Sequence, residues 1–415
     1  MNLKLNKSIV NRQSAISITG SKSETNRLLL LQALYPNISI ENASNSEDSE
    51  VMIKALENYQ LSIINYQLIG IHHAGTAMRF LTAYFAQKEG SEVVLTGSTR
   101  MRERPISVLV DALNQLGADI EYVNNYGFPP LRIRGKKFTK NKVSLPADVS
   151  SQYISALLLI APKLENGLEL TLIGEITSVP YIKMTLALLN EIGVETSFEN
   201  NIIKVNQKSE IVNQQSIIES DWSSASYFYS IVALSDIGTE IKLSSYKQNS
   251  LQGDALLSEI YKDFGVSTIF NENTIILRKS KIYNQKSIIY NLQSSPDIAQ
   301  TIAVTCFGLG IGCHLTGLHT LKIKETDRLL ALETELTKLG ASISVSDSSL
   351  TLEISSKINP DITIQTYQDH RMAMAFAPLT LKTNISIQNA EVVSKSYPTF
   401  WEDLESIGFE IIESK

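Results

Sequence analysis

The chain has 415 residues, enough for two or three domains with substantial cores, and its 43% hydrophobic and 19% charged content is that of a globular protein. With 37 Lys and Arg against 43 Asp and Glu the net charge is −6, and no long basic run occurs, which argues against a dedicated nucleic-acid binder. No apolar run of about 18 residues is present to span a membrane, and "MNLKLNKSIV" lacks the apolar core of a signal peptide, so the expectation is a cytoplasmic protein.

In chain order, "ITGSKSETNRLLLLQAL" (residues 18–34) reads as a short strand, a polar corner and an apolar helix. A helix start carries partial positive charge and attracts Asp and Glu. This one instead holds Lys22 and Arg27, among Ser21, Ser23 and Thr25. "VMIKALENYQLSII" follows as an amphipathic helix running into a strand, with Tyr59 where later copies have a helix-ending Gly. "HHAGTAMRFLTAYFA" repeats the corner and apolar helix with Arg79. Arg100, Arg102 and Arg104 then precede Pro105, which reads as a first helical residue because its φ is already helical. "LVDALNQLGADIEY" is the first full copy of helix, Gly and alternating strand.

The two pieces then alternate to the end of the chain. "ADVSSQYISALLLIA" precedes "MTLALLNEIGVETSF", "ESDWSSASYFYSIVAL" precedes "LLSEIYKDFGVSTI", "QSSPDIAQTIAVTCF" precedes "LLALETELTKLGASISV", and "YQDHRMAMAFAPL" precedes "FWEDLESIGFEII". Gly117, Gly193, Gly265, Gly340 and Gly408 end the second-type helices, as a left-handed terminal residue requires. Helices of the first type are apolar on nearly every face and should be buried. Those of the second carry one apolar stripe, such as Leu329, Leu332, Leu336 and Leu339. Generic α/β alternation would supply neither the matching glycines nor the matching corners. The pattern predicts six βαβαββ units of roughly 70 residues, three per domain, with helices inside and sheets outside. Buried-helix N-termini facing each other across a cleft would attract anions. Cys306 and Cys313, in "IAVTCFGLGIGC", are expected together in a buried helix and offer neither a disulfide framework nor a zinc spacing.

Cations recur at these helix starts: Lys22, Arg27, Arg79 and Arg371 in corners, Lys324 and Arg328 in "KETDRLLAL", and Lys395 before "SYPTFWEDL". One such cation is commonly a solvated side chain, and the serines of "DVSSQY" and "SSPDIAQ" suit plain N-capping as well as phosphate binding. Their clustering costs stability unless an anion offsets it. A small ligand carrying phosphate and carboxylate is therefore expected.

Together "GSKSETNR", "AGTAMRFL", "RMRERPI", "SSQY", "KETDRL" and "DHRMAM" resemble, in order and across essentially the whole chain, the 5-enolpyruvylshikimate-3-phosphate synthase family of enolpyruvyl transferases. The resemblance implies an inverse α/β fold of two similar domains, each with three βαβαββ units. Residues 20–219 would form a continuous domain binding most of shikimate 3-phosphate. Residues 1–19 and 220–415 would form the other, closing on the ligand. It implies transfer of the enolpyruvyl group of phosphoenolpyruvate to the 5-hydroxyl of shikimate 3-phosphate, with no metal or organic cofactor, by a monomer acting on small molecules.

By motif match, the resemblance assigns shikimate 3-phosphate to Lys22, Ser23, Arg27, Ser150, Ser151, Gln152, Ser178, Tyr181 (beneath the ring), Asp297 and Lys324. It assigns phosphoenolpyruvate to Lys22, Gly75, Arg100, Gln152, Arg328, Arg371 and Lys395. A missing side chain at Gly75 would let backbone approach the ligand, and the planar forks of arginine suit carboxylate and phosphate. Asp297 is implied as acceptor of the 5-hydroxyl proton and Glu325 as donor to the methylene carbon, with Lys22 stabilising phosphate charge and sharing proton transfer. Read without the resemblance, Asp297 after Pro296 would complement a helix dipole, and Glu325 would form an exposed pair with Arg328.

Three positions depart from the family pattern. His73 and Thr320 stand where Asn is common, and Phe80 replaces a frequent Pro. No ligand role is assigned to them. Two rival readings are a transferase acting on UDP-N-acetylglucosamine, whose reactive loop Cys has no counterpart here, and a non-catalytic anion- or RNA-associated protein on the same repeat.

Overall fold

The computed structural model describes residues 1–61, 66–148, 150–282 and 286–414. It divides into two units, one of Met1–Gly20 with Glu219–Lys415, the other of Ser21–Ile218. The first unit opens with β1 (Asn2–Asn6) and β2 (Gln13–Ile16). The second follows with α1 (Lys22–Leu34), β3 (Ile38–Glu41), α2 (Glu47–Leu61), β4 (Tyr66–Gly70), α3 (Gly75–Gln87), β5 (Glu92–Thr96), α4 (Ser107–Leu116), β6 (Asp119–Tyr122) and β7 (Leu131–Arg134). It ends with β8 (Lys142–Pro146), α5 (Ser151–Ile160), β9 (Leu168–Ile173), α6 (Val179–Glu191), β10 (Thr196–Glu199), β11 (Ile202–Val205) and β12 (Gln214–Ile217).

The chain then returns to the first unit through α7 (Trp222–Leu234), β13 (Glu240–Ser244), α8 (Leu257–Ile260), β14 (Val266–Asn271), β15 (Thr274–Lys279), β16 (Ser287–Asn291), α9 (Ala299–Leu309), β17 (Gly312–Thr316) and α10 (Arg328–Lys338). There follow β18 (Ile343–Val345), β19 (Leu350–Leu352), β20 (Ile362–Ile364), α11 (His370–Phe376), β21 (Ile385–Ile387), α12 (Phe400–Ser406) and β22 (Glu410–Ser414).

The sheets carry the repeat. Orders β4-β5-β7-β6, β8-β9-β11-β10, β2-β13-β15-β14 and β16-β17-β19-β18 are one arrangement, a parallel pair followed by a returning hairpin. The order β20-β21-β1-β22 is the same arrangement with the N-terminal strand in the hairpin position, where Leu3 pairs with Ile387 on one side and Glu413 on the other. In the remaining sheet β12 pairs parallel with β3. The side chain of Tyr59 and residues 62–64, which would complete the copy beside it, lie outside the described residues.

Helices α1, α3 and α5 pack together in one unit, as do α7, α9 and α11 in the other. Their apolar residues are almost wholly buried, for example Leu30, Phe80 and Leu158, and Phe228, Ile302 and Phe376. Such helices cannot be amphipathic, because sheets or other helices cover every side. Hydroxyls inside these bundles bond to one another, as in Tyr261, Thr305 and Ser230. Among the described residues no helix is long and apolar enough to cross a membrane.

Four local expectations are corrected. The short strand read at the start of "ITGSKSETNRLLLLQAL" lies before that stretch and ends at Ile16. Beyond it the backbone is taken up by the returning chain: Ser220 Oγ donates to the Ile18 carbonyl and Asp221 N–H to that of Thr19. Pro105 does not open α4, whose first residue is Ser107; its carbonyl instead accepts from Arg79 and from the Tyr153 hydroxyl. The helix expected before Gly265 is one α turn, α8, flanked by 3-10 turns, the tighter form that short helix ends adopt. Cys306 lies in α9 but Cys313 in β17, because Gly310, at φ +70°, ends the helix between them.

Candidate active site

In the unit Ser21–Ile218, three helix starts carry most of the expected groups. Ser21 caps α1, its hydroxyl accepting from the Glu24 N–H. Lys22, in the first turn, places Nζ 3.1 Å from Asp48 Oδ2. Arg27 is 2% exposed. Its guanidinium donates to Thr185 Oγ1 (2.8 Å), Ser23 O (2.7 Å), Ser155 Oγ (3.0 Å) and Tyr181 O (3.4 Å). It also lies 5.6 Å from the centre of the Phe80 ring and 6.0 Å from that of Tyr181. Burial pulls its pKa down to about 10, against the pull of Tyr181 and Glu24, so it stays cationic at neutral pH.

Gly75 is the first residue of α3, and a Cβ there would meet Arg104 Nη1 at 2.8 Å. Ser150 caps α5 by accepting from the Gln152 N–H, and Ser151 begins that helix. The Gln152 amide donates to Thr76 Oγ1 at 3.2 Å, tying the starts of α3 and α5 together. Ser178 precedes α6 with φ +53°, a conformation an L residue holds only at a cost, of the kind that clusters at functional sites. Arg100 is a half-exposed side chain paired with Glu103 at 3.2 Å.

Arg79 belongs to the scaffold. It is 4% exposed, with Nη1 donating to the Gly75 carbonyl and Nη2 to that of Pro105, and its guanidinium lies over Tyr153. Of the departures from the family pattern, His73 shares a hydrogen bond with Ser98 Oγ, Phe80 packs on Arg27, and Thr320 Oγ1 is buried without a hydrogen bond among the described residues.

The first unit gathers the remaining groups into one ion network. Asp297, in a 3-10 turn before α9, receives Lys324 Nζ at 3.3 Å and Arg328 Nη1 at 2.9 Å on Oδ1, and Arg371 Nη2 at 3.2 Å on Oδ2. Glu325 receives Arg328 Nη2 at 3.0 Å and Lys395 Nζ at 2.5 Å. Arg328, 2% exposed, also grips Asp369 through Nε at 2.7 Å and Nη2 at 3.3 Å. Asp369 caps α11 and is fully buried. Burial alone would raise the Asp297 pKa, but Lys324, Arg371 and Arg328 outweigh it and hold the carboxyl far below the usual range. For Arg328 the order reverses: burial opposes the charge, while Asp369, Glu325 and Asp297 push its pKa upward. Burial, only partly offset by Asp297, lowers the pKa of Lys324. The same network gives Glu325 two cationic partners and little exposure, so it is not the surface pair its spacing alone suggested.

These contacts correct the premise that helix-start cations need a ligand to offset them. Protein carboxylates already do part of that work, at Asp48, Asp297, Glu325 and Asp369. Asp48 and Asp369 were missed because their partners lie 26 and 41 residues away; only the N-cap position of Asp369 was visible locally. Asp254 was missed as well. It is 3% exposed, and burial together with Asp297 raises its pKa to about 6 against the pull of Arg371 and a Ser223 hydrogen bond. Among the described residues no three His, Cys, Asp or Glu side chains gather as metal ligands would.

Residues 7–404 match the family model described as EPSP synthase (3-phosphoshikimate 1-carboxyvinyltransferase). A 3-phosphoshikimate 1-carboxyvinyltransferase of Bacteroides fragilis (strain YCH46) is 43% identical over 409 residues, covering 96% of either chain. One from Haemophilus influenzae (strain Rd) is 36% identical, covering 95% of this chain and 96% of its own. Of solved structures, EPSP synthase of Acinetobacter baumannii matches with a TM-score of 0.79 at 21% identity, over 99% of this chain and 100% of the other. The enolpyruvyl transferase NikO of Streptomyces tendae matches at 0.76 and 12% identity, over 100% and 98%. These structural likenesses establish the fold.

Proposed function

The chain belongs to the EPSP synthase, or 3-phosphoshikimate 1-carboxyvinyltransferase, family, and from that premise we propose which of its groups carry out the reaction. It is a shikimate-pathway enzyme that moves the enolpyruvyl group of phosphoenolpyruvate onto the 5-hydroxyl of shikimate 3-phosphate and releases phosphate. Transfer to UDP-N-acetylglucosamine is not favoured by these relationships.

A bond must form from the 5-oxygen to C2 of phosphoenolpyruvate while C3 gains a proton and the hydroxyl loses one. The C2–phosphate bond then breaks as C3 gives a proton back, which restores the double bond. Asp297 accepts the hydroxyl proton, and Glu325 delivers the proton to C3. What supports this most is the pair of carboxylates in one network, Asp297 under three cations and Glu325 under two.

A carboxylate held so far below its usual pKa is a poor base. Phosphoenolpyruvate, gripped by Arg328, Arg371 and Lys395 together with Lys22, Gly75, Arg100 and Gln152, would draw positive charge away from Asp297. Its basicity would rise when the second substrate is in place. Lys22 stabilises the departing phosphate and shares proton transfer. Shikimate 3-phosphate is held by Lys22, Ser23, Arg27, Ser150, Ser151, Gln152, Ser178, Tyr181, Asp297 and Lys324. Arg27 also fixes the Ser23 carbonyl. The unit of residues 1–19 and 220–415 closes on the ligand, and the unit of residues 20–219 binds most of it. We expect a cytoplasmic monomer acting without a metal or organic cofactor.

Turnover in deuterium oxide tests the proton assignments. Glu325→Gln should slow deuterium entry at C3 by about 10²-fold or more, the usual scale for a catalytic acid, with both substrates still bound. Entry at the unaltered rate would remove Glu325 from the role.

A further inference from the structure

The segment after Glu219 is fastened to the start of α7. Gln252 accepts the Trp222 N–H at 2.9 Å and donates to the Ser220 carbonyl at 2.9 Å. Ser250 donates to Glu219 at 2.6 Å and accepts the Gln252 N–H at 3.0 Å. This fastening sets Asp254 opposite Ser223, whose hydroxyl donates to Asp254 Oδ2. The same hydroxyl accepts from Arg371 Nη2 at 3.3 Å, and that Nη2 also reaches Asp297 Oδ2 at 3.2 Å. Arg371 Nη1 donates to the Asp297 carbonyl at 3.3 Å.

We propose that Asp254 is a positioning residue of the anion site, acting through Ser223 to hold the guanidinium of Arg371 in its binding orientation. The direction of the chain follows from the donor inventory. A guanidinium only donates and a carboxylate only accepts, so the single Ser223 proton must point to Asp254 and its lone pair to Arg371. Burying a carboxylate is costly unless it is paired. Asp254 is 3% exposed, its Oδ1 has no hydrogen-bond partner among the described residues, and its charged neighbours are Arg371, Asp297 and Asp221. Asp221 spends its own side chain capping α7 at Ser224. Fixing a guanidinium in one plane accounts for a carboxylate at that place, because a planar fork recognises an anion only when it is aligned. A neutral residue there would hold the Ser223 proton less firmly, so that the Ser223 lone pair is no longer fixed toward Arg371 Nη2.

The proposal rests on Arg371 as a phosphoenolpyruvate ligand, and steady-state kinetics of the full chain separate the two ideas. Ser223→Ala and Asp254→Asn should each raise KM for phosphoenolpyruvate about 5- to 20-fold, less than loss of a whole charge-assisted hydrogen bond because Arg371 itself remains to bind the anion. KM for shikimate 3-phosphate should stay within about twofold, and kcat should change less than KM. The double variant should be no worse than the more damaged single one, since both break one chain, and Ser223→Thr should restore most of the loss. If Asp254→Asn does not fold, Ser223→Ala and Ser223→Thr carry the test alone. An unchanged KM for phosphoenolpyruvate in both single variants, with Arg371→Lys raising it, overturns the relay and leaves Arg371 as a ligand. An unchanged KM in Arg371→Lys overturns both. An equal rise for both substrates would mark a merely structural role and also overturns the proposal.

Discussion

Replacing Asp297 by Asn takes one negative charge from among three cations while nearly preserving the shape of the side chain. The three contacts measure 3.3 Å to Lys324, 2.9 Å to Arg328 and 3.2 Å to Arg371. At an effective dielectric of about 20, one unit pair at such a distance interacts by roughly 5 kcal/mol before desolvation is subtracted. Arg328 keeps Asp369 and Glu325, so the net stability loss should be that of one buried charge-assisted bond, about 1.5 to 3 kcal/mol. Turnover should fall about 10²- to 10⁴-fold because the proton acceptor is gone. Phosphoenolpyruvate should bind at least as tightly in the presence of shikimate 3-phosphate, since its cations no longer share a protein carboxylate. Phosphate-release kinetics, titration calorimetry and urea unfolding read the three quantities. Turnover within about threefold of the unaltered enzyme would remove Asp297 from the base role, and a tenfold loss of phosphoenolpyruvate affinity would refute the competition argument. The pH dependence has a definite sign. A carboxylate whose pKa is lower folded than unfolded adds stability that is complete above the unfolded value, about 4, and is lost as pH falls below it. Asp297→Asn should therefore flatten the acid limb of ligand-free stability below about pH 4.

Arg27→Met should cost about 2 to 4 kcal/mol in urea unfolding, because it removes the four hydrogen bonds that the guanidinium donates to Thr185, Ser155 and the Ser23 and Tyr181 carbonyls. Ser23→Ala should lower only shikimate 3-phosphate affinity, and equal stability losses in the two variants would contradict the division between them. Gly75→Ala should leave thermal unfolding nearly unchanged, since the atom it meets is the end of a flexible Arg104 side chain. It should raise KM for phosphoenolpyruvate severalfold, and an unaltered KM would show that backbone approach at Gly75 is unnecessary. Shikimate 3-phosphate alone should reduce the radius of gyration in solution scattering and tighten phosphoenolpyruvate binding reciprocally. Scattering and affinity that both stay constant would refute closure on the ligand.

Much of the fold was legible because its signals are local and repeated. A helix-ending Gly followed by an alternating strand leads into a hairpin after Gly117, Gly193, Gly265 and Gly340, and the all-apolar helices α5, α7 and α9 announce burial on every side. The ends of elements were less legible. Residues 18–20 carry strand-like composition but spend their backbone groups on the returning chain, and one left-handed Gly310 separates two cysteines that looked like helix neighbours. Within the site, cations at helix starts stood out because they violate the dipole preference. Their carboxylate partners did not, since Asp48 reads as part of an acidic helix start and Asp254 as a turn residue. Only tertiary structure brings Asp254 to Ser223 and Ser223 to Arg371.

The most direct test of the central claim is inorganic phosphate release by the purified chain. With shikimate 3-phosphate and phosphoenolpyruvate together, phosphate and the enolpyruvyl ether should appear in equal amounts and continue through many turnovers. Neither should form from phosphoenolpyruvate alone or with UDP-N-acetylglucosamine in place of shikimate 3-phosphate. Absence of phosphate with the first pair, or turnover with the nucleotide sugar, would contradict the account.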